Sequence, residues 1–142
     1  MIICEKQDCR PIQILLVEDS PSDAELTMEA LRLGSLRNPL SIVEDGVEAM
    51  SYLRRGSAPR PDLILLDLNL PRMGGREVLT EMKGDTDLQQ IPVVVLTASQ
   101  SDRDVLDTYK LGAGCYLTKP LDFGQFLEAV HSIGRFGLAV VV

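Results

Sequence analysis

The chain has 142 residues, 45% hydrophobic and 25% charged, which suits one soluble domain able to bury roughly two-thirds of its surface on folding. A formal net charge of −7 argues against a broad basic face for nucleic acid, and no apolar run approaches the ~18 residues of a membrane span. The opening MIICEKQDCR mixes charges of both signs and lacks the apolar block of a secretory signal, so the expected location is the cytoplasm.

Residues 1–10 read as an N-terminal arm. Its Cys4 and Cys9, with Cys115 far away, give an odd cysteine count that does not suggest a disulfide framework. No second Cys or His pair lies near enough in sequence to complete a metal site, so they read as reduced thiols on a loose arm. The folded domain is expected over residues 11–136, with 137–142 as an apolar C-terminal tail.

Five apolar runs follow one another along the domain: Ile12–Val17, Leu40–Val43, Asp62–Leu68, Pro92–Thr97 and the short Cys115–Thr118. Short apolar runs of this kind predict buried strands, and β-branched residues favour that reading for the second and fourth. Between them lie segments with helix grammar. Ser20 is placed to cap and Pro21 to occupy the first helical position of a helix that Gly34 ends. Asp45–Arg55 repeats that start, with Val47, Met50 and Leu53 at helical spacing, and Gly75–Lys83 carries Val78, Leu79 and Met82. Ser101–Leu111 follows the fourth strand, its Asp102, Arg103 and Asp104 reading as a solvated helix start. Asp122 is placed to cap a last helix with Phe123, Phe126, Leu127, Val130 and Ile133 on one face. Strand and helix alternate five times, which predicts an α/β protein of flavodoxin-like (βα)5 type, a doubly wound parallel sheet in strand order 2-1-3-4-5.

In such sheets the ligand site lies beyond the carboxyl ends of the strands. The first run ends in Glu18-Asp19, the third in Asp67, the fourth in Thr97, and the fifth in Thr118-Lys119-Pro120. The topology brings three carboxylates, a hydroxyl and an ammonium to one crevice. Two like charges about 4 Å apart repel by roughly 4 kcal/mol at an effective dielectric of 20, so the cluster calls for a cation. Hard oxygen ligands with room for water suit Mg²⁺, and Lys119 adds a second positive charge; a phosphoryl group meets both. Asp67, on the central strand, is then the nucleophile that forms an aspartyl phosphate. Glu18 and Asp19, with Asp67 and the backbone carbonyl of Asn69, would hold Mg²⁺. Thr97 and Lys119 would meet the phosphoryl oxygens, and the small Ala98 leaves them room.

These pieces, LLVEDSPSD, LLDLNLPRMGG, VVLTAS and YLTKPLD in that order over about Ile12 to Ile133, resemble the receiver domain of two-component response regulators. The finer likeness, in VEDSPSDAELTMEAL, VEDGVEAMSYLRR and LTKPLDFGQF, is to small single-domain regulators of bacterial, especially cyanobacterial, phytochrome kinases. Glu18 stands where many receivers have Asp, which keeps an oxygen ligand. The resemblance implies phosphorylation of Asp67 by a sensor histidine kinase of phytochrome type, with Mg²⁺, and a cis Lys119-Pro120 peptide. It further implies a switch in which Thr97 moves toward the phosphoryl group and Tyr116 turns inward, altering the face of fourth helix, fifth strand and fifth helix. Tyr116 reads equally as an ordinary half-buried aromatic.

Other readings stand beside these. A strand-end Asp also serves as a helix cap, although four companions at neighbouring strand ends favour chemistry. His131, the lone histidine, offers no catalytic triad. A hydrolase of the haloacid-dehalogenase kind also uses an Asp nucleophile with Mg²⁺, but its second Asp is replaced here in Asp67-Leu68-Asn69. A phosphorylation-independent binding module would usually have lost the acceptor or the lysine, and both are present. The tail, with Phe136, Leu138 and Val140, either packs back on its own domain or forms a homodimer through the C-terminal face, which we expect.

Overall fold

Leu63 to Leu66 are wholly buried, as the sequence predicts for a strand covered on both faces. In the computed structural model the described residues are 2–4, 13–34, 36, 38–55, 60–68, 70, 73–98, 107, 109–133 and 137–139. In chain order they form β1 (Ile2–Cys4), β2 (Ile14–Val17), α1 (Pro21–Leu33), β3 (Leu40–Val43), α2 (Gly46–Arg54), β4 (Leu63–Asp67), α3 (Gly75–Lys83), a 3-10 turn (Leu88–Gln90), β5 (Val93–Thr97), β6 (Cys115–Thr118), α4 (Phe123–Ile133) and β7 (Gly137–Ala139).

The five inner strands are parallel in the order β3-β2-β4-β5-β6, which is the 2-1-3-4-5 order expected. Side chains alternate across the pleat. Leu15, Val17, Ile64, Leu66, Val93 and Val95 therefore share one core with Met50 and Leu53 of α2 and Val78, Leu79 and Met82 of α3. Ile14, Leu16, Leu63, Leu65, Val94 and Leu96 share the other with Ala24 and Leu31 of α1 and Phe126, Ala129 and Val130 of α4.

Helix starts follow the expected chemistry. Ser20 accepts from the Asp23 N–H at 3.3 Å, Asp45 from Glu48 at 2.8 Å, and Asp122 from Gln125 at 2.9 Å. Of the helix expected at Ser101–Leu111, residues 101–106 and 108 lie outside the described ones; Asp107, Tyr109 and Lys110 are helical.

The N-terminal arm differs from its expectation. Ile2–Cys4 is not loose chain: it pairs antiparallel with Gly137–Ala139, with Ile3 opposite Leu138, as a separate two-stranded sheet. The two ends are apolar and each offers unpaired backbone groups that the other satisfies.

Candidate functional site

Parallel register brings the strand-end residues together. Val17 pairs with Leu66, Asp67 with Leu96, and Thr97 with Thr118, so the residues that end or follow these strands emerge along one edge. The Glu18 N–H donates to the Val43 carbonyl at 3.0 Å and the Lys119 N–H to the Thr97 carbonyl at 2.9 Å, which ties the backbone of both residues to the sheet. The peptide between Lys119 and Pro120 is cis, as the resemblance implied.

Glu18, Asp19 and Asp67 each present a carboxylate oxygen within 4.8 Å of the others; Glu18 and Asp67 are buried and Asp19 is exposed. Lys119 is the counter-charge. Its Nζ donates to Glu18 Oε1 at 2.5 Å and to Asp67 Oδ2 at 3.2 Å. It also donates at 3.0 Å to Oδ2 of Asp23, in the first turn of α1, a residue the sequence reading did not single out. The other Glu18 oxygen accepts from the Ser20 N–H at 3.4 Å.

The electrostatics follow from this packing. Burial, reinforced by the neighbouring Asp67 carboxylate and only partly offset by Lys119, raises the Glu18 carboxyl from 4.5 to about 7. For Lys119 burial opposes the charge, but hydrogen bonds to Glu18 and Asp23 and the fields of Asp67 and Glu18 outweigh it, and the ammonium is held more firmly charged than usual. Three carboxylate oxygens that converge within 4.8 Å, two of them from buried residues, form a hard donor set of the kind that fits a divalent cation such as Mg²⁺.

Thr97 is fully buried and Ala98 exposed beside it. Ala98 also borders a cleft of about 370 Å³ next to Lys119, walled by Leu26, Thr27 and Leu121. Tyr116 is half-buried against the core shared with α2 and α3. Asn69 and Ser99 lie outside the described residues, as do Phe136 and Val140; of Leu138, the backbone pairing in β7 is described. The glycine turn after Asp67 has a steric reason. A Cβ on Gly75 would lie 2.5 Å from the Asp67 carbonyl oxygen and 2.8 Å from the Leu68 Cα, so α3 starts directly against the end of β4.

A parallel (βα)5 sheet with an acidic cluster and a lysine at its strand ends defines a class, and the family model for the response regulator receiver domain matches residues 14–131. The chain belongs to that family and is a two-component response regulator, a signalling module and not a metabolic enzyme. It is 46% identical over 135 residues to response regulator Rcp1 of Synechocystis sp., covering 92% of each chain. The Mn²⁺-bound form of Rcp1 superposes with a TM-score of 0.71 at 47% identity, over 87% of this chain and 91% of that one. The bacteriophytochrome response regulator AtBRR gives 0.81 at 39% identity, over 94% and 98%. The phosphorylated cyanobacterial phytochrome response regulator RcpA gives 0.74 at 45%, over 87% and 91%. Among the described residues no helix is long and apolar enough to cross a membrane.

Proposed function

We propose that Asp67 accepts a phosphoryl group from a sensor histidine kinase of phytochrome type. The observation that carries this reading is the Lys119 ammonium poised between the buried carboxylates of Glu18 and Asp67 at the strand ends. An Asp67 carboxylate oxygen attacks the phosphorus of a phosphohistidine. The new O–P bond forms as the P–N bond breaks, and the electron pair returns to the imidazole. Negative charge spreads over the equatorial phosphoryl oxygens in the transition state, where the Lys119 ammonium and Thr97 hydroxyl are assigned to receive it. Glu18, Asp19, Asp67 and the Asn69 backbone carbonyl are the assigned Mg²⁺ ligands. Bound there, the ion would neutralise charge on the phosphoryl oxygens.

Support comes from the hard oxygen donors, from the raised Glu18 carboxyl, and from relatives solved with Mn²⁺ and in phosphorylated form. The phytochrome input is supported by the likeness to AtBRR and RcpA. Thr97 and Tyr116 form the proposed switch, read out on the face of the 101–111 segment, β6 and α4. The receiver unit spans residues 11–136, works in the cytoplasm, and turns over only its own phosphoryl group. Phe136, Leu138 and Val140 form a homodimer contact at the C-terminal face.

Intact mass after incubation with acetyl phosphate tests the acceptor. One Mg²⁺-dependent phosphoryl adduct is expected on the wild type and none on Asp67→Asn. No adduct on the wild type would replace this reading with a phosphorylation-independent binding module.

A further inference from the structure

Lysine has three N–H donors, and each of Lys119's faces a carboxylate: Glu18 at 2.5 Å, Asp23 at 3.0 Å and Asp67 at 3.2 Å. Under the proposed function two of these carboxylates have other duties, Glu18 toward the metal and Asp67 toward the phosphoryl group. Asp23 has neither. It lies outside the converging set of Glu18, Asp19 and Asp67. An acidic residue in the first turn of a helix favours the helix dipole, and a side chain pointing into water would serve for that. Here the carboxylate, itself 43% exposed, reaches a partner 96 residues away whose side chain is only 16% exposed.

We infer that Asp23 is a positioning residue that shares Lys119 with Asp67 and so tempers the hold of the ammonium on an anionic group at Asp67. This rests on Asp67 being the phosphoacceptor. A lysine ammonium is a compact point charge on a flexible stem, and two carboxylates at comparable distances divide it. A divalent cation would neutralise the carboxylates that face it, but Asp23 is not one of them. Its charge therefore persists beside Lys119 when the phosphoryl group arrives, and competes for the same ammonium. Asp23→Asn keeps the shape and an acceptor oxygen while removing the charge; Asp23→Glu keeps the charge.

The test is titration with beryllofluoride, a tetrahedral phosphoryl mimic that binds a carboxylate oxygen, at saturating Mg²⁺. Half-saturation in Asp23→Asn is expected at a concentration about twofold to fivefold lower than in the wild type, the range a partly exposed ion pair supports. Asp23→Glu should stay near the wild type. Mg²⁺ titrated alone should bind Asp23→Asn no more tightly, because a purely structural change would move both ligands together. Unchanged or weaker beryllofluoride binding by Asp23→Asn overturns the inference. Tightening of both ligands, or a Glu variant that behaves like the Asn variant, overturns it as well. A wild type that binds no beryllofluoride overturns the Asp67 reading and the role of Asp23 with it.

Discussion

Glu18 is the residue at which the cost of the site is concentrated. Its carboxyl titrates at about 7 in the fold against an ordinary value of 4.5, with burial the largest cause. Between those values the folded chain holds a proton that the unfolded chain has released. Glu18's contribution to stability is therefore fully present below about pH 4.5 and is lost as pH climbs through 7. Without divalent cations, the stability of wild type relative to Glu18→Gln should fall as pH rises from about 4.5 to about 7 and level off above that, read by thermal unfolding in the presence of a chelator. Bound as proposed, Mg²⁺ would have to displace that proton, so its affinity should rise with pH and level off above about 7. A wild-type-to-variant difference that is flat with pH would contradict both expectations. Lys119 does not cancel the effect, because its single charge is divided among three carboxylates.

At the level of elements, helix starts hold the site's scaffold. Asp45 is buried at 5% exposure, and its Oδ1 accepts the Glu48 N–H at 2.8 Å, while Glu48 Oε2 accepts the Glu44 N–H at 3.1 Å. The pair resembles a capping box displaced by one residue. The next residue, Gly46, donates its N–H to the Met73 carbonyl at 3.2 Å, joining the start of α2 to the turn that follows β4. Asp45→Ala should cost about 1 kcal/mol through the cap, seen as a lower urea midpoint with an unchanged slope. An unaltered midpoint would show that the cap contributes nothing. These caps were legible in the sequence because an N-cap acts on a donor two or three residues away, so its signal is local. The Leu88–Gln90 turn carries no such signal, and nothing in the sequence around Gly75 shows that its reason is contact with the β4 backbone.

For the whole molecule, the main sheet is held from both faces, and the β1–β7 ribbon joins the two ends of the chain. A two-stranded sheet of three residue pairs is marginal alone in water, so it needs apolar cover from elsewhere. The proposed homodimer at the C-terminal face would supply that cover. Light scattering should report twice the chain mass for the wild type and a single chain for Leu138→Asp combined with Val140→Asp. A mass unaffected by the double substitution would sink the dimer. The arm and tail were read separately because each is only a short apolar run, and nothing in either run names its partner.

The sequence by itself determined the alternation of strand and helix, the order of the parallel sheet, and the placing of Glu18, Asp19, Asp67, Thr97 and Lys119 at one edge. Each depends on short-range periodicity, on end signals, and on the restricted handedness of parallel crossovers. The tertiary structure alone decided that Asp23 shares Lys119, that Gly75 must lack a side chain, and that Ile2–Cys4 meets Gly137–Ala139. Those contacts join segments whose spacing follows no period. They arise where packed helices and strands bring groups on different elements within reach, and only the folded chain sets that distance.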